Sequence, residues 1–199
     1  MRWGVCAWDS DLTGGLFPGG DGFARMGGSL LEAGVERWFV VEVVMDWRAN
    51  LIEDDAGVRD VLTRSRRVAV LGIRPESHAH KPAHSVPAYL AKHGYDIVPV
   101  PVHGETEPIL GRPVYRAVAD IPGPVDLVQV FRRPEDIDAH VSDLLAKKPH
   151  AVWFQLGIRN DAAAEQLARA GIRVVQDRCM KVELARLSQE RELSGASPS

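Results

Sequence analysis

Five short apolar runs, spaced along the second two-thirds of the chain, constrain the fold most. They are Val68-Ala69-Val70-Leu71, Asp96-Ile97-Val98-Pro99-Val100, Leu127-Val128-Gln129-Val130-Phe131, Ala151-Val152-Trp153-Phe154-Gln155 and Ile172-Arg173-Val174-Val175. Helical stretches separate them, roughly Ser85–His93, Pro134–Lys147 and Asp161–Ala170, with a last one near Cys179–Leu187. Pro134 suits the first turn of a helix, with Glu135 and Asp136 beside it, and Asn160 suits an N-cap before Asp161. Gly94 and Gly171 stand where left-handed C-terminal caps belong. Strands apolar on both faces and joined by helices require a parallel sheet covered on both sides. The expected fold is therefore α/β, a doubly wound, Rossmann-like parallel sheet of about five strands.

The start of the chain reads differently. Residues 1–44 hold nine of the 18 Gly and three of the five Trp, and carry three basic against six acidic side chains. The stretch Gly14-Gly15-Leu16-Phe17-Pro18-Gly19-Gly20 admits no regular element and lacks the Gly-Lys-Ser/Thr ending of a P-loop. The expectation is a loosely packed or disordered extension over 1–44, with Met45 a candidate second start. Asp46–Arg66 reads as one helical preface, residues 45–187 as the folded domain, and 188–199 as a frayed polar tail. With 24 Lys+Arg against 27 Asp+Glu, the chain lacks the basic excess of a general nucleic-acid binder. No apolar run approaches the roughly 18 residues of a membrane span. Two cysteines, Cys6 and Cys179, exclude a disulfide framework, and reduced thiols point to the cytoplasm.

In open parallel sheets, ligands bind beyond the carboxyl ends of the strands. Four of the five strand exits carry an arginine (Arg74, Arg132 with Arg133, Arg159 and Arg178) and the other carries His103. Helix N-termini facing the same edge add free N–H donors and partial positive charge. The edge is an expected anion site, suited to phosphates. A nicotinamide site is disfavoured, because only Gly72 remains of Gly-x-Gly-x-x-Gly and no acid ends the second strand. His78, His80 and His84, with Glu76, match no established zinc spacing. Cys179, between Arg178 and Lys181, is either a packing residue or a thiol activated by its neighbours. Ser77 and Ser85 lack His–acid partners for a hydrolase triad.

From about Arg67 to Glu183 the ordered motifs resemble one family. They are Val68-Ala69-Val70-Leu71-Gly72-Ile73, Gly94-Tyr95-Asp96-Ile97-Val98-Pro99-Val100, Leu110-Gly111-Arg112-Pro113-Val114-Tyr115, Val130-Phe131-Arg132-Arg133-Pro134, Trp153-Phe154-Gln155-Leu156-Gly157-Ile158 and Gln176-Asp177-Arg178-Cys179-Met180-Lys181. The set resembles the small stand-alone CoA-binding domain proteins, which are similar to the N-terminal Rossmann domain of the succinyl-CoA synthetase α subunit. The resemblance implies coenzyme A or an acyl-CoA as the small-molecule ligand. It places Gly72, Ile73, Arg74 and Ser85 near the phosphates, and Pro101 and His103 near the adenosine. Phe131, Arg132 and Arg133 fall along the middle of the ligand, and Leu156, Gly157 and Ile158 along the pantetheine. The second-strand exit reads Pro-Val-Pro-Val-His where the family pattern is Pro-Val-Asn-Pro. The expected role is non-catalytic binding, with no nucleic-acid or membrane partner and with self-association left open. An NAD(P)- or CoA-dependent enzyme and a ligand-free protein-interaction scaffold are the alternatives.

Overall fold

The computed structural model describes residues 46–195. The extension expected over 1–44 lies outside the described residues. The strands are β1 Leu51–Ile52, β2 Arg67–Leu71, β3 Asp96–Val100, β4 Leu127–Val130, β5 Ala151–Phe154 and β6 Arg173–Val175. The helices are α1 Asp55–Arg64, α2 Pro82–Lys92, α3 Asp138–Lys147, α4 Asp161–Arg169 and α5 Met180–Gly195. All strand pairs are parallel, in the order β1-β6-β5-β4-β2-β3. From β2 the chain winds to β3 on one side, then crosses back to lay β4 on the other. The strand order thus reverses between β2 and β4, the crevice where such sheets take ligands.

Because successive strand residues face opposite ways, each strand feeds both layers of core. Ala69, Leu71, Val128, Val130, Val152 and Phe154 pack under Val141 and Leu144 of α3 and Leu167 of α4. Val68, Val70, Leu127 and Trp153 pack under Val61 and Leu62 of α1, Leu90 of α2 and Met180 of α5. Trp153 is completely buried, and its indole N–H donates to the Arg178 carbonyl at 2.7 Å. The doubly wound parallel architecture read from the apolar runs is thus present, with helices on both faces.

Several local features depart from the sequence reading. Asp46–Arg66 is not one helix: it is a 3-10 turn over Trp47–Asn50, the strand β1 and then α1. The Asp54 side chain accepts from the Gly57 N–H at 2.7 Å, so it caps α1 and starts the helix there. Leu51 and Ile52 instead pair with Val174 and Val175 of β6, which adds a sixth strand too short to show an alternating pattern. The last helix continues through Ser188, where fraying was expected, to Gly195. Helix α2 also differs, starting at Pro82, three residues before Ser85.

The helix expected from Pro134 opens as a 3-10 turn over Pro134–Asp136 before α3 starts at Asp138, whereas the caps at Asn160, Gly94 and Gly171 follow the sequence. Asn160 caps α4 by accepting from the Ala163 N–H at 2.9 Å, and Gly94 and Gly171 have φ of +86° and +81°. Asp55, at the start of α1, is gripped by Arg186 at 2.7 Å and Arg178 at 2.9 Å, which ties α1 to α5. Hydrogen bonds from Arg186 and then Arg178 hold its carboxyl well below the ordinary carboxylate range.

Candidate functional site

At the strand-order reversal, the β2 exit is pressed against the β4 exit. Gly72 is buried with φ +85°, and a Cβ there would lie 2.5 Å from the Phe131 carbonyl oxygen and 3.4 Å from Arg132 Cδ. The parallel ladder continues into this crossing, with the Gly72 N–H donating to Val100 and the Phe131 N–H to Leu71, both at 2.8 Å. Only a residue without a side chain lets the two backbones meet and lets the Arg132 stem lie over the crossing. The Arg132 guanidinium pairs with Asp136 at 3.0 Å, yet its Nε is buried and has no hydrogen-bond partner among the described residues. Arg133 beside it is exposed and makes no ion pair with any described residue. An orphaned donor, an exposed cation and a side-chain-free backbone crossing fit an anionic ligand that supplies the missing acceptor.

Arg74 is positioned by a proline. Pro87 inside α2 has no N–H, so the carbonyl four residues earlier, that of Ala83, is left without its helical donor. The Arg74 N–H takes that place, donating to Ala83 at 3.2 Å. Buried His84 completes the clasp through Nδ1, 2.9 Å from the Arg74 carbonyl oxygen. The Arg74 side chain reaches Glu105 at 3.6 Å, and Glu105 also accepts the His103 N–H at 3.0 Å. Glu105 was absent from the sequence reading, although it stands two residues beyond His103. Glu76 accepts the Leu110 N–H at 2.7 Å, and this bond lowers its pKa. His78 and His80 have ring centroids 6.5 Å apart, and desolvation, with the neighbouring cations Lys81 and Arg74, lowers the His78 pKa. Among the described residues no three His, Cys, Asp or Glu side chains converge as metal ligands.

The remaining expected site residues, apart from Ser85 in α2, follow the carboxyl ends of parallel strands. Ile73 is fully buried in the core, so its side chain is not available to a ligand. Ser85 is half-buried in the first turn of α2; Pro101 is buried and His103 exposed beyond β3. Phe131 packs partly against the core. Beyond β5, Leu156 is 64% exposed, Ile158 is half-buried, and the Gly157 N–H donates to Asp177 at 2.6 Å. The structure thus joins Gly72 to Phe131 and Arg132, joins Arg74 to His103 through Glu105, and joins Gly157 to Asp177. Cys179 is half-buried against the second core layer.

Two of the arginines are held by acids at the β5 and β6 exits, away from the β2/β4 crossing. Arg178 is engaged by Asp55, by Glu183 at 3.3 Å and by the Glu53 carbonyl at 2.6 Å, and Arg159 pairs with Asp161 at 2.9 Å. The recurrence of arginine at strand exits therefore overcounts the anion-binding groups. Both line a separate cavity of about 400 Å³ beside β6 and β1, together with Trp47, Leu51 and Val174. That cavity also carries Glu53, Asp161, Glu165 and Asp177, four acids against two paired arginines, so it repels an anion. The β2/β4 crossing, with Arg132 and Arg133 (the latter unpaired among the described residues) at its rim, has the better electrostatics for phosphate.

Comparison with known proteins shows the family. The sequence profile of the CoA binding domain family matches residues 66–185. The uncharacterized protein YneT of Bacillus subtilis (strain 168) is 33% identical over 129 residues, covering 64% of this chain and 91% of YneT. A Thermus thermophilus structure, cell-free ID.343, is 38% identical with a TM-score of 0.64, covering 68% of this chain and 99% of that one. A hypothetical protein from Pyrococcus horikoshii OT3 is 34% identical with a TM-score of 0.62, covering 68% of this chain and 93% of that one. Among the described residues no helix is long and apolar enough to cross a membrane.

Proposed function

This chain belongs to the CoA binding domain family, and from that premise we propose that it binds coenzyme A or an acyl-CoA across the carboxyl edge of its sheet, as a non-catalytic binding protein. One observation carries the reading. At the strand-order reversal, the Gly72 and Phe131 backbones meet under an arginine whose buried Nε lacks an acceptor among the described residues. A pyrophosphate lying there supplies that acceptor and draws on Arg133 from the β4 exit and Arg74 from the β2 exit. Phe131 offers an apolar surface to the ligand's middle. The exposed Leu156 and the turn through Gly157 and Ile158 line the pantetheine side. Pro101 and His103, beyond β3, take the adenosine end.

The test is calorimetry of the full chain with CoA, dephospho-CoA and NAD. The proposal expects CoA to bind, dephospho-CoA to bind more weakly for want of one phosphate, and NAD to give no measurable heat. Equal affinity for CoA and NAD favours the enzyme alternative. Absence of binding to all three favours a bare interaction scaffold.

A further inference from the structure

Arg74 and Glu105 come from different strand exits, 31 positions apart in sequence, yet their side chains are only 25% and 16% exposed and lie 3.6 Å from each other. Glu105 accepts a second hydrogen bond from the His103 peptide N–H. A guanidinium and a backbone N–H are the donors that a phosphate takes at such an edge. We infer that Glu105 is a resident anion: its carboxylate sits on the Arg74 and His103 donors in the ligand-free protein, and a ligand phosphate must displace it. The inference rests on the proposed CoA site and adds what sets its affinity and its preference for phosphorylated ligands.

The two partners are unequally anchored. Arg74 is fixed at both peptide groups, by Ala83 through its N–H and by His84 through its carbonyl. Glu105 lies in an irregular segment directly after Gly104, whose φ is +84° and beside which a Cβ would meet nothing within 4 Å. Glu105 is therefore the partner free to swing out. Its carboxylate balances a rim that also carries Lys81, so arrival of a phosphate exchanges one anion for another. A neutral ligand lacking phosphate has no means of making that exchange.

The experiment is an NMR titration of the full chain, reading the His103 amide, with inorganic pyrophosphate and separately with CoA. Glu105→Gln keeps an acceptor for the His103 N–H but removes the charge competing for Arg74. It is expected to bind both probes about fivefold more tightly, the scale of one partly exposed ion pair. Adding Arg74→Ala is expected to erase that gain. Unchanged or weaker pyrophosphate binding in Glu105→Gln overturns the inference. Tighter pyrophosphate binding with no CoA binding in either protein supports the resident anion and refutes the CoA reading.

Discussion

Replacing Gly72 with alanine tests the crossing on which the site is built. A new Cβ at φ +85° costs about 1–2 kcal/mol from its left-handed backbone alone. It also lands 2.5 Å from the Phe131 carbonyl oxygen and 3.1 Å from its carbon, atoms held in the ladder and unable to rotate aside as a side-chain tip does. Overpacking of that kind adds about 1–3 kcal/mol. The combined loss is about 2–5 kcal/mol, which for a domain of about 150 residues lowers Tm by roughly 5–20 °C. Gly111→Ala is the matched control: φ is +69° there, but a Cβ meets nothing within 4 Å. Scanning calorimetry of both variants separates strain from collision. Gly72→Ala is expected to lose at least about 1 kcal/mol more than Gly111→Ala. Equal losses refute the claim that the β2 and β4 exits touch at Gly72.

Other expectations follow from the same geometry. Replacing Arg132 and Arg133 together with alanine is expected to weaken CoA binding by tenfold or more while Tm moves little. Each charge-assisted bond is worth about 1.5–3 kcal/mol and the partly buried Arg132–Asp136 pair about 1 kcal/mol or less. Calorimetric titration and a melt on the same samples check this, and unchanged affinity contradicts it. Gln129 is completely buried, with its Oε1 unpartnered among the described residues and its Nε2 donating to Gln155 at 3.2 Å. Gln129→Leu is therefore expected to be neutral or to gain about 1 kcal/mol in urea unfolding, and a loss above about 2 kcal/mol contradicts it. Asp55 has its folded-state pKa depressed by Arg186 and Arg178, so the stability it contributes is present above the ordinary value of 3.8 and is lost as pH falls through the folded value. Asp55→Asn should lower Tm at neutral pH, with the gap to the parent protein closing only below pH 3.8. A gap that is constant across that range removes the ion pair as its cause.

Much of the fold was legible because its strands are apolar on both faces and bounded by glycine and proline, a pattern that a doubly wound sheet produces directly. Strand β1 was not legible: two residues carry no periodicity, and what makes them a strand is the partner Val174–Val175, 123 positions away. The true start of α2 was obscured for a related reason. Proline reads as a helix breaker, whereas Pro87 is accommodated because the carbonyl it orphans accepts from Arg74. At the site, sequence alone marked Gly72 and the Arg132–Arg133 pair at strand exits. It could not say which arginines already had partners. Asp55, which engages Arg178, precedes it by 123 positions, and Glu105, which engages Arg74, follows it by 31. Charge placement was visible, and charge pairing was a property of the folded chain.

The most direct test of the central claim is amide hydrogen exchange of the full chain with and without CoA. The account predicts added protection at Gly72–Arg74 and Phe131–Arg133, with none around Trp47, Arg159 and Gln176. Protection at the acidic cavity beside β6, with the β2 and β4 exits unchanged, contradicts it.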